Sequence, residues 1–531
     1  MLSLDQCLKA NRPIIFVVVQ NELELLNYIY DEYDSIDNWY VYSETLSSIL
    51  RLTDIIEEKF TKETKASLII RNLDYILKKN YNEENCKFDK YIFLDCHTYI
   101  KDPQTIRKIK DILNRYQMEE EFTMNLIMVS QSICIPEELE RLSEIVFFDL
   151  PDEEALRKRS DKLTKDLELS NDKAPTPEVI NNLKGLTLFE VEQAYLQSHS
   201  LYGKIDINFI RNFKKSAIAK TDLLSILETD VVFDNIGGME NLKNWITKSY
   251  GGWTIEGRDF GLPLLKGLLL VGLPGTGKSL FMKAVGNEWK LPVILFDPSM
   301  LFSSILGDTE NNMRRVLKII EGMSPTILII DEIEKAFAGL HSSGFSDSGV
   351  TARVIMKFLI WMQECTKYVF IIATANNIQY LPPELINRFD ETFFVNLPQY
   401  EERKDIFSIH INRLNRDISK FDFDILSKNS KDLSGREIEQ TLREAMYDAY
   451  YNKKELTTEI ILEVLNKKTN LLTTMAEQLK YLLEWVGWDD EKKDGIRARY
   501  ASVPPSLNME QVHSEINNIL KNIEGKSDES L

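Results

Sequence analysis

The stretch Gly272-Leu273-Pro274-Gly275-Thr276-Gly277-Lys278-Ser279 constrains this chain more than any other. It fits the pattern G-x-x-x-x-G-K-[ST] at every fixed position. Leu268-Leu269-Leu270-Val271 before it reads as a buried strand, and Leu280-Phe281-Met282-Lys283-Ala284-Val285 after it as a helix. Glycines let the backbone curl so that successive N–H groups point inward at a polyphosphate. The helix N-terminus adds its partial positive charge. In such a loop Lys278 reaches the β- and γ-phosphates and the Ser279 hydroxyl ligates Mg²⁺. A chance glycine-rich turn would lack the strand on one side and the helix on the other.

A second signal lies downstream. Thr326-Ile327-Leu328-Ile329-Ile330-Asp331-Glu332 is an apolar strand ending in two acids. Asp331 is placed to hold Mg²⁺, directly or through its water shell, and Glu332 to polarise an attacking water. Phe370-Ile371-Ile372-Ala373-Thr374 is the next strand, with Asn376 just beyond it. Ligands of open α/β sheets bind at that end of the strands, where Asn376 helps to fix the water. The alternative for Asn376 is turn capping. Arg388 in Leu385-Ile386-Asn387-Arg388-Phe389-Asp390 is a candidate arginine finger, with a surface ion pair as its ordinary alternative. Helices from about 400 to 470 form a lid, and Arg436 in Ser434-Gly435-Arg436 reaches toward the γ-phosphate from it. Ile236-Gly237-Gly238 precedes the core, and its glycines allow close approach to a flat ring, or simply a turn before a helix.

The first part of the chain repeats the second. Pro136-Glu137-Glu138-Leu139 echoes Pro382-Pro383-Glu384-Leu385 at an offset of 246 residues. Phe147–Pro151 echoes Phe394–Pro398, and Lys184–Gln193 echoes Lys431–Gln440, both at 247. Ile14–Val19, Trp39–Tyr42, Tyr91–Asp95 and Asn125–Ser130 alternate with helical segments, as in a parallel α/β sheet. This copy has no phosphate loop. Gln20-Asn21-Glu22-Leu23-Glu24 follows its first strand, without glycine or lysine and with two carboxylates that repel phosphate. Asp95 is followed by Cys96, so the second acid of the pair is absent. The expected domains are 1–225, a degenerate copy that does not bind nucleotide; 226–400, the ATP-binding core; 401–470, the lid; and 471–531, a helical appendage.

The net charge of −19 argues against nucleic acid as a partner. No apolar run approaches the roughly 18 residues of a membrane span, and Pro13–Val19 reads as a buried strand, not a signal segment. Five scattered cysteines without C-x-x-C spacing read as reduced thiols, and no His/Cys cluster has metal-ligand spacing.

Taken together, Ile236-Gly237-Gly238, Gly272–Ser279, Asp331-Glu332, Asn376, Arg388 and Ser434-Gly435-Arg436 resemble an AAA-type (AAA+) ATPase, over roughly residues 230–470. The resemblance assigns them as the adenine-contacting turn, Walker A, Walker B, sensor 1, arginine finger and sensor 2. It extends to the uncharacterised AAA-domain ATPases of algal plastid and cyanobacterial genomes, which also precede one active module with a copy lacking a usable phosphate loop. The bias toward Ile, Asn, Lys, Phe and Tyr, as an AT-rich plastid genome would encode, agrees. The fold implied is a P-loop NTPase α/β sheet with a helical lid. The activity implied is Mg-dependent ATP hydrolysis in a homo-oligomeric ring, commonly hexameric, that remodels a protein partner in the plastid stroma, or in the cytoplasm if the source is cyanobacterial. Two departures stand out. Relatives write R-P-G-R-F-D where this chain has Asn387-Arg388-Phe389-Asp390, leaving one arginine. Ile305 occupies the pore-loop position where protein-threading members place an aromatic, and Gly339–Gly349 stands where a second pore-facing loop would lie. A nucleotide-gated binding module with slow hydrolysis is the alternative reading.

Overall fold

A computed structural model of the chain describes residues 3–19, 21–33, 38–43, 50–53, 69–78, 89–118, 124–131, 135–148, 150–167, 175–219, 224–297, 309–337, 348–468, 475–489 and 494–502. The chain divides into two units, Met1–Lys214 and Lys215–Leu531, each built on its own sheet.

In the first unit the strands are β1 (Ile14–Val18), β2 (Trp39–Tyr42), β3 (Leu50–Arg51), β4 (Asp89–Phe93), β5 (Met124–Ser130) and β6 (Ser143–Phe147). They lie in the order β3-β2-β4-β5-β1-β6, parallel except for the β2–β3 pair. Every residue of β5 is buried, as befits a strand covered on both faces. Because side chains alternate across a strand, Ile14, Phe16, Leu126 and Met128 pack with Ile109 and Leu113 on one face. Ile15, Val17, Ile127 and Val129 pack with Leu25 and Ile29 on the other. Four helices follow the sheet: Glu153–Asp166, Pro177–Leu183, Leu188–Tyr202 and Ile207–Ala219, the last of which runs past the division at Lys214.

The second unit contains β7 (Leu224–Leu227), β8 (Gly267–Val271), β9 (Val293–Phe296), β10 (Thr326–Ile330), β11 (Val369–Ala375) and β12 (Glu391–Phe394). A small antiparallel pair, β13 (Trp488–Asp489) with β14 (Asp494–Gly495), precedes β15 (Arg499–Tyr500). The main sheet runs β7-β9-β10-β11-β8-β12-β15. Only β7–β9 is antiparallel. The parallel strands β2-β4-β5-β1-β6 and β9-β10-β11-β8-β12 share one order; the antiparallel edge strand follows β2 in the first sheet and precedes β8 in the second, and β15 is the addition. Four lid helices follow β12: Tyr400–Arg413, Phe423–Asn429, Gly435–Tyr451 and Thr458–Leu465. They close on Phe407, Leu426, Leu442 and Ile461. The helices starting at Glu153 and Leu188 return 247 residues later at Tyr400 and Gly435, so the sequence repeat is a repeat of architecture.

The α/β class and the degenerate first copy are therefore as the sequence predicts. The antiparallel strands β3 and β7 were not foreseen. Nor was β15, which brings part of the expected appendage into the main sheet. Ile305, the stretch 338–347 and residues 503–531 of the expected appendage lie outside the described residues. No described helix is long and apolar enough to cross a membrane. Cys7, Cys96 and Cys365 are buried free thiols.

Candidate functional site

The site forms where β8, β10 and β11 end side by side. These are parallel neighbours with Ala375 opposite Val271 and Ile330 opposite Ala373, so the residues that follow each strand emerge together. After Val271 the chain turns through Gly272–Gly277 into the helix Lys278–Trp289. Gly277 sits just before the first helical residue at φ 98°, a left-handed backbone that a side chain would strain. The helix is anchored by Phe281, Val285 and Trp289, which pack among Leu268, Leu270, Phe370 and Ile372.

Lys278 opens this helix and is almost fully buried, at 5% exposure. Its ammonium donates to the carbonyl oxygens of Gly272 and Leu273, each at 2.7 Å. Burial pulls its pKa down to about 8, against the opposing attraction of Glu334, Asp331 and Glu332.

Next to it, the Ser279 hydroxyl stands 3.0 and 3.1 Å from the two carboxylate oxygens of Asp331. The Thr374 hydroxyl donates to Asp331 Oδ1 at 2.5 Å and accepts the Glu332 N–H at 2.8 Å. Glu332 has left-handed backbone, φ 52°, which turns its carboxylate toward Asn376. Asn376 Nδ2 donates to Glu332 Oε1 at 2.9 Å, and Lys335 pairs with the other oxygen, Oε2. The Asn376 N–H goes to Glu334 Oε1 at 2.9 Å. Glu334 Oε2 is buried with no hydrogen-bond partner among the described residues, and burial raises that carboxyl's pKa.

The lid touches the same place. The Arg436 N–H donates to the Gly275 carbonyl at 3.2 Å, and the Arg436 side chain is exposed. Ser434 caps the lid helix by accepting from the Glu437 N–H at 3.3 Å. Ile236 is buried and belongs to the core beside Met239. Gly238, at φ 78°, lies so close to the first lid helix that a Cβ would run into the Glu402 carboxylate. Glu402 Oε1 in turn accepts the Met239 N–H at 3.1 Å.

The structure thus brings together Gly272–Ser279, Asp331, Glu332, Asn376 and Arg436. It does not bring Arg388 to them. β8 and β12 are parallel, and the glycine loop leaves the C-terminal end of β8. Arg388 enters at the opposite, N-terminal end of β12, where it donates to the Gln363 side-chain oxygen. Thr374, Glu334 and Gln478, whose amide donates to the Asn376 carbonyl at 2.7 Å, were missed by sequence reasoning. Thr374 reads as the end of an apolar strand, and Gln478 sits 102 residues from its partner.

The donor set suits Mg-ATP. A hydroxyl and a carboxylate side by side are hard oxygen ligands of the kind Mg²⁺ takes, and a buried ammonium beside a helix N-terminus suits phosphate.

Comparison with known proteins agrees with this geometry. Residues 268–397 match the ATPase family associated with various cellular activities (AAA). Residues 2–148 match the N-terminal domain of SpoVK-like AAA ATPases. The uncharacterised AAA domain-containing protein ycf46 of Pyropia yezoensis is 33% identical over 502 residues, 93% of this chain and 98% of its own length. Its counterpart in Trieres chinensis is 35% identical over 401 residues, 74% of this chain and 80% of its own. A proteasome-activating nucleotidase of Sulfurisphaera tokodaii is 32% identical over 235 residues, 42% of this chain and 59% of its own. A relative matched at this identity along nearly its whole length leaves one assignment: the chain belongs to the AAA ATPase family.

Proposed function

We propose that the second unit binds and hydrolyses Mg-ATP and that a homo-oligomeric ring of this chain uses the turnover to remodel a protein partner. The observation that carries the reading is the continuous hydrogen-bonded set Ser279–Asp331–Thr374–Glu332–Asn376 beside buried Lys278. Gly272–Gly277 supplies backbone N–H groups to the phosphates, and Lys278 turns from its two carbonyl partners to them. Ser279 and Asp331 would hold Mg²⁺, which would supply charge neutralisation to the phosphates. Glu332 takes the proton of the attacking water while Asn376 fixes the carboxylate that receives it. Arg436 reports phosphate to the lid, and Ile236 and Gly237 line the adenine side. Arg388, directed away from its own loop, serves a neighbouring subunit as the finger. Protein remodelling is supported by the likeness to a proteasome-activating nucleotidase, and the plastid stroma by the ycf46 relatives.

A second reading has its own support. Both Glu332 oxygens are occupied, one by Asn376 and one by Lys335. A base held in this way turns over slowly, as in a nucleotide-gated binding module. ATPase rate against protein concentration separates the two, using wild type, Glu332→Gln and Arg388→Ala. A specific rate that rises with concentration and is lost in both variants supports the ring. A concentration-independent rate untouched by Arg388→Ala removes the finger, and if it is also slow the binding module leads.

A further inference from the structure

The segment after the lid returns to the nucleotide site, and no role above accounts for it. It runs from the helix Ala476–Val486 through β13 and β14 to β15. Leu479, Leu482 and Val486 are buried, so the helix is seated on the unit by its apolar face. The Arg497 N–H donates to the Val486 carbonyl at 3.0 Å and closes the loop between helix and strand. β15 extends the sheet beside β12, with Phe393 opposite Arg499 and Phe394 opposite Tyr500. The chain then ties down the turn before the core. The Ala501 carbonyl accepts the Asn241 and Leu242 N–H groups at 3.1 and 3.2 Å, and the Ser502 hydroxyl accepts that of Met239 at 3.1 Å. This strap is therefore fixed at its far end by strand pairing and by three backbone donors of one turn.

Its near end meets the hydrolytic centre. Gln478, half-buried on the seated helix, donates its side-chain amide to the Asn376 carbonyl at 2.7 Å. Glu334 takes the Asn376 N–H, so the peptide groups on both sides of this residue are held. The Asn376 side chain leaves this clamped backbone to reach Glu332 Oε1 at 2.9 Å. The direction of that side chain is set by the backbone, and the backbone is set on its carbonyl side by Gln478.

We propose that the carboxy-terminal strap is an integral part of the hydrolytic site and that Gln478 is its positioning residue, aiming Asn376 at Glu332. The proposal rests on the hydrolysis reading above. Gln478 touches neither nucleotide nor water in it, so its loss lowers kcat and spares the affinity for ATP. The strap also makes the turn at Ile236–Met239 and the sensor residue Asn376 two ends of one bonded path, which sequence distance conceals.

The test uses the full chain and Mg-ATP, with three substitutions at one position. Gln478→Met keeps length and apolar contact without a donor, Gln478→Glu puts an acceptor where a donor is needed, and Gln478→Lys restores a donor. Loss of one neutral hydrogen bond in a transition-state array predicts a fall in kcat of about three- to tenfold for Met and Glu, with KM within about twofold of wild type. Lys should recover most of the rate. Thermal melting of each variant identifies loss through unfolding. A folded Gln478→Met variant with wild-type kcat overturns the proposal. So does a rise in KM at constant kcat, or a loss that Gln478→Lys fails to repair. A wild-type chain without turnover overturns the hydrolysis reading itself and this proposal with it, a result distinct from a wild-type rate that Gln478→Met retains.

Discussion

The two units share a sheet order and a four-helix layer, and they part at the turn that follows β1 in one and β8 in the other. After β8, glycines lead the chain into a helix whose first residue is buried Lys278. In the first unit Asn21 caps the helix Glu22–Glu32 through its side chain, accepting from the Leu23 N–H at 3.1 Å. Carboxylates then do what the site does elsewhere. Glu22 Oε1 accepts the Asp95 N–H at 2.9 Å, and Glu24 Oε1 accepts the Phe189 N–H at 2.7 Å. Asp95 matches Glu332: both follow a five-residue strand by two positions, both have left-handed backbone (φ 50° and 52°), and both carbonyls accept the N–H three residues on. Phe189 lies 247 residues before Arg436, whose N–H goes to the glycine loop.

By this register the degenerate copy lacks the first acid of the pair and not, as the sequence suggested, the second. Leu94 stands where Asp331 does. Val129, one residue past the Phe93–Met128 pairing, stands where Thr374 does, one past Ile330–Ala373. The first unit has replaced the hydroxyl–carboxylate pair by two buried apolar side chains. It has also capped the helix N-terminus, which would favour an anion, with the Asn21 side-chain oxygen. A fold of this kind keeps its architecture after losing the ligand, provided that fixed side chains satisfy the backbone donors the ligand site leaves behind.

This contrast yields predictions, of which Thr374→Val makes the second unit resemble the first most directly. The largest effect belongs to Glu332→Gln, which should slow ATP turnover by about 10²–10⁴ while ATP binding remains, read from kcat and nucleotide binding side by side. A variant that keeps turnover would show that the base lies elsewhere. Thr374→Val, copying Val129, leaves the Glu332 N–H without its acceptor and takes from Asp331 one of its two hydroxyl donors, Ser279 remaining. It should lower kcat by about tenfold or more in steady-state assays. Wild-type turnover in this variant would make Thr374 packing only.

The pH dependence is smaller and has a defined sign. Lys278 is charged below its pKa of about 8 and neutral above it. ATP affinity, measured by calorimetry at pH 7, 8 and 9, should be steady up to about 8 and then weaken by up to about tenfold per unit, since binding must take up a proton. In the unliganded protein the charged lysine costs stability below about 8, and that cost is relieved as pH rises from there toward 10.5. Flat affinity across the range would mean that the ammonium is not desolvated. The smallest effect is in the first unit. Glu24→Ala should cost about 1 kcal/mol and lower that unit's melting by a few degrees, with ATP turnover unchanged. A change in turnover would mean that the Glu24–Phe189 contact of the first unit communicates with the active unit.

Much of this was legible in the sequence because it is local. The phosphate-binding pattern, the acid pair after an apolar strand and Asn376 past the next strand each declare themselves within about eight residues, and the repeat offset survived into matching helices. What was hidden is what neighbouring strands and distant segments supply. Thr374 looks like one more strand residue until β11 is laid beside β10. Glu402 and Ser502 reach Met239 from 163 and 263 residues away. β15 is two residues long and has no periodicity to read. The misplaced acid in the first copy has the same origin: a strand of five apolar-rich residues does not mark where it ends.

The central claim is that one unit carries all the nucleotide chemistry and the other none. The direct measurement is the number of ATP molecules bound per chain, with Mg²⁺ present, in Glu332→Gln and in the same variant carrying Lys278→Ala. The account predicts one per chain in the first and none in the second. Two per chain, or binding that survives the loss of Lys278, would place a working nucleotide site in the first unit and contradict it.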